Sequence, residues 1–167
     1  MRFDVIVIGG GSTGIEKAKE LQAAGKKCAV ISKGRSIYDS DIHGFERIGG
    51  TLLMGDQVAS YVIEDGCLKS VCTVNLGDVA LEADVFYLAT GKFFAGGLTA
   101  DMDSVCEPVF GLDVIYDHDR NNWFNASFAE PQPFMDFGVA VDSNGCAVKD
   151  GASIVNLFPI GEIIAKQ

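Results

Sequence analysis

The sequence predicts an α/β domain built on a central parallel sheet, with a small antiparallel β-meander ahead of its later strands. Three observations carry that expectation. A β-branched run, Val5-Ile6-Val7-Ile8, ends in glycines and passes directly into a helix-compatible segment. A second apolar run, Cys28-Ala29-Val30-Ile31, follows after about thirty residues in all, the length of a strand–helix–strand crossover with parallel strands. Two later apolar runs also stop at glycines, one at Ala89-Thr90-Gly91 and one at Gly161-Glu162. With 167 residues, 48% of them hydrophobic, the chain is expected to form one domain, residues 1–167, with its own core.

Taken in order, Gly9, Gly11 and Gly14 fall on the G-x-G-x-x-G spacing. In a dinucleotide-binding unit the first glycine permits the tight turn and the second lets a phosphate approach the backbone. The third lets the helix pack closely on the strand, and the phosphate then meets the positive end of the helix dipole. A helix is expected over 13–24, with Ile15, Ala18 and Leu21 on one side, Ser12 or Thr13 as its N-cap and Gly25 as its stop. At the end of the second strand, where an acidic residue ordinarily binds adenosine ribose hydroxyls, stands Ser32. Lys33 and Arg35 follow, and the next carboxylate is Asp39. This departure disfavours NAD and conventional FAD and suits a phosphate, as in NADP or a mononucleotide. Two basic residues that merely solvate a loop are the other reading.

A second helix is expected over 38–48, with Ile42, Phe45 and Ile48 on one face, then Gly49-Gly50 and a third strand over 51–54. The meander occupies about 55–83, with runs at 57–63, 68–74 and 79–83 separated by Glu64-Asp65-Gly66 and Asn75-Leu76-Gly77-Asp78. Residues 85–88 form a separate buried strand. Beyond Gly91 the pattern is irregular: a loop over 92–103, a strand within 111–116, a polar and aromatic stretch over 118–128, and a boundary at Pro131 and Pro133. A strand over 137–141 and a turn at Ser143-Asn144-Gly145 lead to Cys146-Ala147-Val148, and 154–160 is the last apolar run.

Charge is unevenly placed. Of the net −10, residues 1–77 contribute nothing, with nine acids and nine bases. Residues 78–136 carry eleven acids against Lys92 and Arg120 alone. No basic stripe exists to neutralise phosphates, so nucleic acid is excluded as a partner. The acidic half reads as a solubilising surface or as a docking face for a basic partner. No apolar run is long enough to span a bilayer and the N-terminus does not read as a signal peptide, so a cytoplasmic protein without direct membrane insertion is expected. The five cysteines are scattered, odd in number and never spaced C-x-x-C, which argues against a disulfide framework, a zinc site or a locally encoded iron–sulfur cluster and favours small buried apolar residues, and no metal site is expected.

Several unusual segments carry a resemblance. They are the N-terminal Met1-Arg2-Phe3-Asp4 leading to Gly9-Gly10-Gly11, Gly55-Asp56-Gln57-Val58, and Leu88 through Leu98 around Ala89-Thr90-Gly91. Glu107-Pro108-Val109-Phe110-Gly111-Leu112, Pro131-Gln132-Pro133-Phe134 and Asn156-Leu157-Phe158-Pro159-Ile160-Gly161 complete the set. Their order resembles the Rossmann-like FAD/NAD(P)-binding fold of two-dinucleotide-binding-domain flavoproteins, and more specifically the B subunits of anaerobic glycerol-3-phosphate dehydrogenases. The resemblance implies a flavin subunit, described in that family as using FMN. It works beside an FAD-containing catalytic subunit and a membrane-associated iron–sulfur subunit. Together these oxidise glycerol 3-phosphate to dihydroxyacetone phosphate and pass electrons toward quinone, which would hold the protein peripherally at the inner membrane. Family members carry a second domain where only residues 32–39 stand here, and continue past Gly161 into a flavin-capping helix. A nucleotide-binding core, not catalytic alone, is therefore the expectation, and an uncovered apolar face would promote homo-oligomers.

The expected cofactor-binding residues are Gly9, Gly11, Ser12, Thr13 and Gly14 for phosphate, with Ser32 and Lys33 at the ribose or phosphate end. Val58, beside Gln57, lines the nucleotide; Thr90-Gly91 and Gly161-Glu162 form the floor. Glu162 reads either as an acceptor for a ribityl hydroxyl or as part of a frayed terminus. FMN or FAD is the expected cofactor, with NADP behind them. No catalytic residue is assigned: His43 and His118 read as solvated side chains, and no Ser/His/Asp or Cys/His order is present. The aromatics Phe93, Phe94, Phe110, Trp123, Phe124 and Phe128 read as core or subunit contacts. Two other functions stay open, a non-catalytic nucleotide-binding module and a small NAD(P)-dependent reductase.

Overall fold

A computed structural model describes residues 1–34 and 41–167. The expectations for Arg35, Asp39 and the first turn of the second helix lie outside the described residues. Strand β1 (Arg2–Ile8) leads into helix α1 (Ser12–Ala23) and strand β2 (Cys28–Ser32). Helix α2 (Ile42–Arg47), β3 (Thr51–Met54), β4 (Val58–Glu64), β5 (Cys67–Thr73) and β6 (Leu81–Leu88) follow. Short pieces then complete the chain: β7 (Thr99–Ala100), β8 (Val105–Cys106), β9 (Val114–Ile115), β10 (Gly138–Val139), β11 (Ala147–Lys149), β12 (Ala152–Ile154) and β13 (Leu157–Pro159).

The main sheet has the order β3-β2-β1-β6-β5-β4, with β13 also pairing to β6. Strands β3, β2, β1, β6 and β13 are mutually parallel. Period-two alternation decides what each face buries. Val5 and Val7 pack toward α1 with Val30 and Phe45, while Ile6 and Ile8 join the larger core on the opposite side. Helix α1 contributes Ile15 and Ala18, both buried, and full burial of an isoleucine of this kind contributes about 1.5–3 kcal/mol.

The structure revises four expectations. Runs 79–83 and 85–88 are one strand, β6, and the meander of β4, β5 and β6 is the antiparallel wing of the main sheet. Asp84 does not interrupt it, because the strand's alternation places Glu82 and Asp84 on the exposed face, where Arg2 pairs with Asp84 and approaches Glu82 at 3.7 Å. Neither Ser12 nor Thr13 caps α1; Gly11 holds the N-cap position, with no side-chain capping bond. Ile48 ends α2 exposed, leaving Phe45 as that helix's buried anchor. Only Cys28 and Cys146 are buried among the cysteines. Of the aromatics, whose reading as core or subunit contacts is not revised, Phe110 and Trp123 are core and Phe94, Phe124 and Phe128 exposed. His43 and His118 are exposed as expected.

Candidate functional site

The site forms where the parallel strands end. Backbone bonds continue each ladder one residue past its strand: Gly9 N–H donates to Ile31 O (2.9 Å), Ala89 N–H to Ile8 O (2.7 Å) and Ile160 N–H to Leu88 O (2.9 Å). The exits of β2, β1, β6 and β13 thus stand in one row, and the three glycine-bearing segments come together along it. In open α/β sheets this carboxyl-end edge is where ligands bind.

Close packing explains the glycines. Gly9 has φ +114°, and a side chain there would overlap the carbonyl of Ala89. A side chain at Gly14 would overlap the carbonyl of Gly9, so α1 rests directly on the β1 exit. Gly11 is different: a Cβ built there meets nothing within 4 Å, and the position faces open space. The amides of Ser12, Thr13 and Gly14 are those an α-helix leaves without an intrahelical acceptor, and Ser12 and Thr13 are exposed. On the far side, Gly161 (φ +75°) has Thr13 Cγ2 2.9 Å from its would-be Cβ, which seats the 161–163 turn against the start of α1.

The β2 end is shaped by Ser32. Its side chain is buried against Gly10, its hydroxyl donates to Gly34 O (2.8 Å), and its carbonyl accepts from Asp56 N–H (3.0 Å). That last bond brings the turn before Val58 to the same row. Asp56 is buried and accepts from Gln57 N–H (2.9 Å) and Asn75 N–H (3.0 Å), and these with the Thr73 hydroxyl hold its carboxyl below the usual range against the cost of burial. Lys33 is exposed. Thr90 and Gly91 continue from the β6 exit; Thr90 Oγ1 is buried with no hydrogen-bond partner among the described residues, and Glu162 is exposed. The residues expected from sequence therefore lie along one edge, with Lys33 and Glu162 at its rim.

Sequence reasoning missed two contributors. Gly10 packs on Ser32. Lys92, next after Gly91, is buried and donates to Met135 O. A lysine at the end of a glycine turn entering an apolar stretch was the available signal.

The site is chemically suited to a flavin nucleotide. A backbone-lined helix start with open space at Gly11 fits a phosphate, and the orphan Thr90 hydroxyl is a polar group awaiting a partner of the kind native structures supply. Fold and site define an α/β module of the flavoprotein kind. The chain belongs to the FAD binding domain family, whose model matches residues 36–167. Its relatives include the B subunit of the anaerobic glycerol-3-phosphate dehydrogenase of Aliivibrio fischeri (strain MJ11), 36% identical across 97% of this chain and 40% of that one. The B subunit of the same enzyme from Vibrio vulnificus (strain CMCP6) is 41% identical across 72% of this chain and 28% of that one. The chain thus spans less than half the length of these relatives. Among solved structures, a thioredoxin reductase from Gloeobacter violaceus aligns with a TM-score of 0.45 at 16% identity, covering 60% of this chain and 38% of that one. No helix among the described residues is long and apolar enough to cross a membrane.

Proposed function

We propose that residues 1–167 form a single flavin-binding domain of an oxidoreductase subunit related to anaerobic glycerol-3-phosphate dehydrogenase. The observation that carries this reading is the row of strand exits, with Gly9–Gly14, Thr90-Gly91 and Gly161-Glu162 on one edge. Bound flavin would supply reversible two-electron chemistry, and the protein's part is position and electrostatics. The N–H groups of Ser12, Thr13 and Gly14 receive a flavin phosphate at the helix start, Gly11 gives it room, and the Thr90 hydroxyl completes a hydrogen bond on the floor. Glu162, at the rim, accepts a ribityl hydroxyl.

FAD is the cofactor that membership of the family favours. Ser32, standing where an acid binds adenosine ribose, favours FMN. In the assembled enzyme the domain takes part in oxidation of glycerol 3-phosphate to dihydroxyacetone phosphate, with electrons passed to quinone through partner subunits that hold it at the membrane surface. Titration of the purified chain with FAD, FMN and NADPH, followed by flavin absorbance and fluorescence, tests the reading. Near-stoichiometric uptake of one flavin is expected; no response to either flavin overturns it, and uptake of NADPH alone supports a small NADP-dependent reductase instead.

A further inference from the structure

Lys92 follows the Thr90-Gly91 exit directly and is 8% exposed. Its ammonium donates to the carbonyl of Met135, in the 3-10 turn Pro133–Asp136, and makes no ion pair among the described residues. Lysines are almost never buried without a countercharge, because losing water around an ammonium is expensive. A carbonyl supplies a hydrogen bond but no charge. Burial, helped by Lys166, holds the Lys92 pKa below the ordinary lysine range, and Asp136 and Glu162 oppose that shift. Glu162 is itself a rim residue of the site, and the backbone N–H of Lys166 bonds Asp136 O (2.9 Å), so the cation lies where β6, the 133–136 turn and residues 162–166 meet. The orphan Thr90 hydroxyl lies two residues away in the same segment. A buried cation short of negative charge and a buried hydroxyl short of a partner occur together at one edge.

We propose that Lys92 is the cationic contact for a negatively charged group of the bound flavin, a role that rests on the flavin reading of the site. A flavin nucleotide is negative at its phosphate and gains negative charge on its ring when reduced. In either case the ammonium completes its pairing only when the ligand is in place, while the Met135 carbonyl keeps it aimed.

The test compares Lys92→Gln, which keeps a donor for Met135 O and removes the charge, with Lys92→Arg, which keeps the charge. Riboflavin, FMN and FAD are titrated into each full chain, and the midpoint potential of the bound flavin is measured. If the phosphate is the partner, Lys92→Gln binds FMN and FAD about tenfold more weakly than the parent and riboflavin equally well. If the ring is the partner, Lys92→Gln lowers the midpoint by about 30 mV, the two-electron equivalent of a tenfold change. Lys92→Arg stays close to the parent in both readouts. Indistinguishable Lys92→Gln and parent proteins overturn the inference. So does equal loss in Lys92→Arg and Lys92→Gln, or a Lys92→Gln chain that fails to fold beside a folded Lys92→Arg, since the charge would then serve the fold. A parent chain that takes up none of the three flavins overturns the flavin reading and the Lys92 role with it.

Discussion

Gly14 lies on the carbonyl of Gly9 so closely that a single added methyl group would overlap it. That contact lets the first turn of α1 start at the end of β1, which puts the helix's free N–H groups at the strand exit. Gly14→Ala should therefore destabilise the fold by about 1–3 kcal/mol, as overpacking against backbone does, read as a lower urea midpoint. Gly11→Ala meets open space and should cost only the difference between a glycine and an alanine N-cap, below about 1 kcal/mol, while weakening flavin binding at least tenfold. Equal loss of stability in both variants would contradict the division of roles between these glycines.

Thr90 presents the opposite case, a buried hydroxyl with no hydrogen-bond partner among the described residues. Thr90→Val removes an unsatisfied hydroxyl, so the chain should be as stable as the parent or more so, by up to about 1 kcal/mol. Flavin affinity should fall about fivefold, the worth of one neutral hydrogen bond. A variant with lower stability and unchanged affinity would mean that the hydroxyl serves the fold.

Asn156 joins segments 88 residues apart. Its side chain accepts from Leu68 N–H (2.8 Å) and donates to Leu68 O (2.9 Å) and Asp84 O (3.2 Å). Asn156→Ala leaves the Leu68 amide and carbonyl unpaired in a buried position and should cost about 3 kcal/mol. Loss of hydrogen-exchange protection should concentrate at Leu68 and along β13; a uniform loss would contradict a local tie.

Glu107 is almost fully buried, and its carboxylate accepts from Val109 N–H (2.8 Å), Phe110 N–H (2.8 Å) and Leu112 N–H (3.4 Å). Burial raises its pKa, and these amides only partly oppose the shift. With the folded-state pKa above the unfolded one, the stability linked to this group is fully present below the ordinary glutamate range. It is lost as pH rises through the raised value. Urea midpoints between about pH 4 and 7 should fall with pH more steeply in the parent than in Glu107→Gln, which does not titrate. Parallel pH profiles for the two proteins would remove Glu107 as the cause.

Much of the fold is legible locally. Val5-Ile6-Val7-Ile8 into Gly9, the Ile15–Ala18–Leu21 face and Gly25 each state their element through spacing of about four residues or fewer. The breaks are less legible. The runs 79–83 and 85–88 read as two strands, yet Leu81–Leu88 is one, with Glu82 and Asp84 on its exposed face. Ser12 and Thr13 read as caps because hydroxyl residues favour that position, yet Gly11 fills it and both side chains stay exposed.

The sequence by itself determined that glycine turns end three buried strands, that a serine replaces the acid after the second, and that the acidic half lacks bases. Those properties are written in neighbouring residues. Only the tertiary structure decided that the three turns share one edge, that Gly11 faces open space while Gly14 does not, and that among the described residues the buried Thr90 hydroxyl has no hydrogen-bond partner and the buried Lys92 no ion pair. Each of those depends on which strands pair and on what lies opposite a given atom, and contacts between residues this distant leave no period in the chain that joins them.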